Sequence, residues 1–157
     1  MLLRQRDFYQ AKVRRLLAVI QHHRPHDDPD DGTPSLYARI IHIADDFDIL
    51  TRSRSGRGAV LAVPDARARM AAVAGGIYDA DLLQAFASAM GPFPPGSMLQ
   101  LTDGHIVASV SGVRSAETFA APPCRVIRLP DGTRPPDQPF IELAQAAKIA
   151  GILRPTA

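Results

Sequence analysis

Tryptophan is absent from this 157-residue chain, and aromatic residues make up only 6% of it. A core must therefore come from Leu, Ile, Val, Ala and Met, with little help from large rings. There is a single cysteine, Cys124. One thiol cannot close an internal disulfide, which excludes a disulfide-stapled secreted scaffold and leads us to expect a cytoplasmic protein. No apolar run approaches the roughly 18 residues of a membrane span, so no membrane partner is expected. The opening stretch MLLRQRDFYQAKVRR carries charges too early and too often for a secretory signal. Neither charge sign dominates, the formal net charge being +2. No global field draws the chain to nucleic acid, and the basic run Arg52, Arg54 and Arg57 is too short to change that. We find no internal repeat.

Hydrophobic residues at 46% and charged residues at 22% are the proportions of a globular protein, and they exclude disorder from end to end. The length suits one domain, or one domain with a small appendage. Fourteen prolines are present, and they cluster after position 91. That shift in composition predicts a change of architecture there.

The periodicity agrees. Tyr9, Val13, Leu16, Leu17 and Ile20 predict an amphipathic helix over 2–23, ended by Pro25. Residues 24–34, RPHDDPDDGTP, read as a polar loop. Leu36, Ile40, Ile43, Phe47 and Leu50 recur at helical spacing and predict a buried stripe on a helix over 35–53, started by Pro34 or Ser35. A basic loop follows, then a short Ala-rich helix over 65–74 stopped by Gly75-Gly76. Asp79 or Asp81 caps a further helix ending at Gly91. Beyond Gly91 the period becomes two. Strands are expected at 97–102 and 105–111 around the turn Asp103-Gly104, and at 124–129, with a last short helix over 141–153.

Few side chains stand out for chemistry. His22 and His23 sit at a helix C-terminus, where the dipole favours histidine, and neighbouring histidines point in different directions on a helix. His26, Asp27, Asp28, Asp30 and Asp31 lack the later bidentate glutamate of a calcium loop and read as a solvated acidic loop. His42 lies within helical reach of Asp45 and Asp46, and a surface ion pair is the default reading. Cys124 reads as a small core residue.

Several stretches together resemble one family. ARIIHIADDFDILTRSRSGRGA, Ala38 to Ala59, is similar to the "ARIIAVADVYDALTSDRPYRKA" run of HD-GYP domains, the metal-dependent phosphodiesterases of cyclic di-GMP. GGIYDADLLQAFASAMGPFPPGSMLQLTDGHIVASV, Gly75 to Val110, is similar to that family's "GGxFDPxLVxAFLxxxGxYPPGSLVRLSDGEVAVV". His22-His23 matches the start of its "HHE" element, and CRVIRLPDGTRPP resembles its "PVVRVLRDADGRPL" tail. The order and near-ungapped spacing carry the resemblance, which covers roughly residues 15–145 and corresponds to the C-terminal half of the family's domain.

The resemblance implies a mainly α fold. A partial HD-type helical bundle would occupy 1–91, and a small antiparallel β extension with the short terminal helix would occupy 92–157. It implies His22, His23 and Asp45 as metal ligands for a divalent ion of the Fe or Mn type, with Asp48 structural. It implies Arg54 and Arg57 as contacts to the phosphates of cyclic di-GMP. The departures are equally specific. No His-Asp doublet precedes His22, Arg24 stands in place of the glutamate of "HHE", and the "DGxGYP" loop is not recognisable. The expected function is therefore a phosphohydrolase-related role in cyclic di-GMP signalling, inactive as an isolated chain. The alternative is a non-catalytic remnant that binds a nucleotide or a protein. The expected partner is a homodimer mate or a separate chain carrying the N-terminal half.

Overall fold

The computed structural model describes residues 2–52, 60–110, 115–143 and 149–153, with side chains from Tyr9 onward. Five helices, α1 (Leu2–Gln21), α2 (Leu36–Thr51), α3 (Val63–Ala71), α4 (Ala80–Met90) and α5 (Ala116–Ala120), accompany five strands, β1 (Met98–Leu101), β2 (Ile106–Ser109), β3 (Pro123–Arg128), β4 (Phe140–Glu142) and β5 (Ile149–Leu153). Two compact units result, one of residues 1–49 and 67–86 and one of residues 50–66 and 87–157. No helix among the described residues is long and apolar enough to cross a membrane.

The fold is mixed α/β, which corrects the expectation of a mainly α fold. The strands form one antiparallel sheet in the order β4-β3-β2-β1-β5. The ends of the expected terminal helix account for much of the difference. Ile141 pairs with Cys124 at one edge of the sheet, and Ile152 pairs with Leu99 at the other. Pairing at the two edges makes strands of Phe140–Glu142 and Ile149–Leu153, while residues 144–148 of that stretch lie outside the described residues.

Within the sheet, alternation decides what is inside. Leu99, Leu101, Val107, Cys124 and Val126 turn to one face and, with Leu143, form a buried core. Ser109 shares that face, buried, with its hydroxyl donating to the Phe93 carbonyl at 3.0 Å. The Asp103-Gly104 turn is where the sequence puts it. Gly104 has φ +92°, and a Cβ there would meet Pro130 Cβ at 3.2 Å, so glycine is required twice over. Cys124 is fully buried, its thiol donates to the Pro122 carbonyl at 3.3 Å, and burial pushes its pKa up to about 11.

In the helical unit the expected stripe on α2 is only partly realised. Ala38, His42, Ile43 and Phe47 are buried, but Leu36 and Ile40 are close to half exposed. Phe47 finds its cover in Phe86, edge-on at 5.2 Å. Ser35 caps α2, its hydroxyl accepting from the Ala38 amide at 3.4 Å. The Ser35 amide in turn donates to the Gln21 side-chain oxygen at 3.0 Å, which ties the start of α2 to the end of α1.

Candidate metal centre

α1 stops at Gln21, and the chain turns through His22 and His23 toward Pro25. The His22 Nδ1 atom lies 2.8 Å from the Val19 carbonyl. A carbonyl only accepts, so Nδ1 carries the proton, and Nε2 of the neutral ring keeps its lone pair for a ligand. The two imidazoles stand 3.9 Å apart between centroids, tilted by 40°. From α2, Asp45 completes the group: one ligand atom from each of His22, His23 and Asp45 lies within 4.8 Å of the others. His23 is exposed, while His22 and Asp45 are partly covered.

The donor set fits a divalent ion of the Fe, Mn or Zn type, two imidazole nitrogens and one carboxylate oxygen. The spacing is wider than a closed coordination sphere. With bonds of about 2.1 Å, tetrahedral ligand atoms sit about 3.4 Å apart, so the three side chains must draw in by up to roughly 1.4 Å. Three protein ligands leave further coordination positions for water or a substrate oxygen.

The neighbouring polar residues have other tasks. Helical spacing put His42 within reach of two carboxylates, and the structure separates them. Asp45 joins His22 and His23, while Asp46 Oδ2 lies 3.2 Å from His42 Nε2. Tyr78 donates its hydroxyl to the same Asp46 oxygen at 2.7 Å and meets the His42 ring edge-on at 5.2 Å. His42 is buried, so this is an internal network and not the surface ion pair expected. Burial first, and then the Asp46 carboxylate, push the Tyr78 phenol well above its usual range, so it serves as a fixed donor.

A second pair lies between α2 and the start of α4. Arg39 Nη1 pairs with Asp79 Oδ2, and Asp79 Oδ1 accepts from the Asp81 and Leu82 amides, each at 3.0 Å. Asp79, and not Asp81, is thus the cap. The Leu82 amide is the leading cause that holds its carboxyl below the ordinary range, with Arg39 and His26 adding to it.

The acidic loop is built around Arg24. Its Nε donates to Asp28 Oδ2 at 2.9 Å, and its Nη2 donates to the Gly32 carbonyl at 3.0 Å. Asp28 Oδ1 accepts from the Asp30 and Asp31 amides at 3.1 and 3.3 Å. The His26 and Asp27 amides donate to the Ile77 and Gly76 carbonyls, both at 2.9 Å, so the loop is pinned at two places. Among the described residues, its aspartates do not gather into a metal group. Arg54 and Arg57, expected to touch phosphate, lie outside the described residues.

Sequence reading missed the Tyr78–Asp46–His42 and Arg39–Asp79 links. Their only trace is a polar Tyr-Asp pair after a double glycine, with nothing to name the partners on α2. In comparisons with known proteins, no family model, curated protein or solved structure matches the chain.

Proposed function

We propose that this chain carries part of a divalent-metal phosphohydrolase centre of the HD-GYP kind, with His22, His23 and Asp45 as ligands, and that it does not turn over cyclic di-GMP alone. The observation that supports this reading is the meeting of Asp45 with His22 and His23 across more than twenty residues of chain. Those three positions are the ones the family resemblance selects. A bound divalent ion would polarise a phosphate oxygen and lower the pKa of a coordinated water. The residues contribute orientation: the Val19 carbonyl fixes the tautomer of His22 and leaves Nε2 as the atom that would hold the ion. Iron or manganese is the ion class the resemblance implies, and cyclic di-GMP the substrate.

Arg24 favours the non-catalytic reading over turnover by the isolated chain. In the place of the family's glutamate stands a guanidinium committed to Asp28 and Gly32, which offers no ligand and adds positive charge beside the histidines. On this reading the chain binds a nucleotide or a protein and leaves hydrolysis to a complete site.

The test is reconstitution. The full chain is assayed for cyclic di-GMP hydrolysis with Mn²⁺ or Fe²⁺, alone and mixed with a polypeptide bearing the N-terminal half of an HD-GYP domain. The expected result is no hydrolysis alone, and hydrolysis by the pair that disappears with Asp45→Asn. A pair that binds together in the presence of metal yet shows no hydrolysis would leave the non-catalytic reading in its place.

A further inference from the structure

Gln21 ends α1 and is bonded at both its main chain and its side chain. Its main-chain carbonyl accepts from the Arg24 amide at 3.0 Å, which closes a turn with His22 and His23 as the central residues. Its side-chain oxygen accepts from the Ser35 amide at 3.0 Å. Ser35 caps α2, the helix that carries Asp45. The same residue is thus bonded to the turn that presents two of the ligands and to the helix that presents the third. Gln21 is not itself a member of the metal group.

We infer that Gln21 is a positioning residue of the metal centre, its side-chain bond to the Ser35 amide holding His22 and His23 in register with Asp45. The inference rests on the metal reading of those three residues. Capping gives the first reason. In a capping box, the amide of the N-cap residue is served by a Glu or Gln three residues later. Here that position is Ala38, which has no side-chain acceptor, and Gln21 supplies one from the preceding helix. Packing gives the second. Ala18 alone is buried among the described residues of α1, so apolar contact gives the end of that helix little hold. Scale gives the third. The helix rises about 15 Å from Ser35 to Asp45, so a change of roughly 5° between the helices moves Asp45 by about 1.3 Å against the histidines. That is the size of the closure the ligand atoms need around an ion. A site that must still draw its ligands together depends on how well its arms are held.

The test uses the full chain and two variants with side chains of similar length. Gln21→Met removes the acceptor, and methionine is a good helix former, so α1 is kept. Gln21→Glu retains an acceptor. Exchange of the Ser35 amide, followed by NMR without metal, reads the bond itself. Mn²⁺ titration by electron paramagnetic resonance reads the centre, in about 0.5 M salt so that the charge added by Glu is screened. Gln21→Met is expected to speed that exchange and to weaken Mn²⁺ binding, each by at least about fivefold, the fold-change that one hydrogen bond represents. Gln21→Glu should stay within about twofold of the parent in both. Gly104→Ala, a strained substitution in the other unit, should leave Mn²⁺ affinity within about twofold, which separates positioning from a general loss of stability. A Gln21→Met chain that binds Mn²⁺ as the parent does overturns the inference and leaves the metal centre standing. Equal losses in Gln21→Met and Gln21→Glu overturn it in the same way. A parent chain that binds no Mn²⁺ overturns the metal reading, and the inference with it, whatever the Ser35 amide shows.

Discussion

The sheet and α1 treat their apolar residues in opposite ways. Leu99, Leu101, Val107, Cys124, Val126 and Leu143 are at most 5% exposed, whereas Tyr9, Val13, Leu16 and Ile20 are each more than half exposed. Composition does not separate the two regions, since both are rich in Leu, Ile and Val. Closure does. The sheet turns one face inward, and its last strand returns to pair with its first, so alternation by itself fills a core. α1 has an equally regular pattern, but among its described residues Ala18 alone is buried. A periodic stripe states which face is apolar and says nothing of what lies against it.

Stability measurements can break this comparison. Leu99→Ala should cost about 2–5 kcal/mol in chemical denaturation, the range for emptying a packed site. Equal costs for Leu99→Ala and Leu16→Ala would undo the contrast. Next in size is Gly104→Ala, expected to destabilise by about 1–3 kcal/mol, because it forces φ +92° on a residue with a Cβ and presses that atom on Pro130. An unchanged denaturation midpoint would mean that the hairpin turn relaxes freely.

Tyr78→Phe sharpens the account of the helical unit. It removes the hydrogen bond to Asp46 and leaves the ring in place, and it should cost about 1–2 kcal/mol. Acid acts through the carboxylates. Asp28, held low chiefly by its hydrogen bond from Arg24, and Asp79, held low chiefly by the Leu82 amide, both have folded pKa values below the unfolded value. A depressed carboxylate stabilises the fold above its unfolded pKa, near 4, and that contribution is lost as pH falls through the folded value. Thermal midpoints should therefore hold between about pH 7 and 5 and decline below about pH 4, with a smaller decline in Arg24→Ala. The smallest effect is expected for Leu16→Ala, within about 0.5 kcal/mol.

The parts of the fold legible in the sequence are those fixed locally. Gly91 and Gly104 take the positive φ their positions suggested, Pro25 follows the end of α1, and Ser35 and Asp79 cap their helices. The illegible parts depend on distant partners. Residues 141–142 and 149–153 fall in a stretch read as helix, and pairing with β3 and β1 makes strands of them. α5 is five residues held by Ser115 and Thr118, too short to leave a period. At the candidate centre, the resemblance named His22, His23 and Asp45 from residue types in a fixed order, and the structure brings these three together. The routes taken by Asp46 and Arg24 were not legible. Spacing offered His42 two carboxylates, and the choice of Asp46 follows from where Tyr78 lies, 32 residues away in the chain.

The central claim is that His22, His23 and Asp45 form one metal-binding group. The most direct test is titration of the full chain with Mn²⁺, with free ion followed by electron paramagnetic resonance. The account predicts one bound ion per chain, lost in His22→Ala and in Asp45→Asn while circular dichroism stays that of the parent. Absence of binding, or binding that both substitutions leave unchanged, would contradict it.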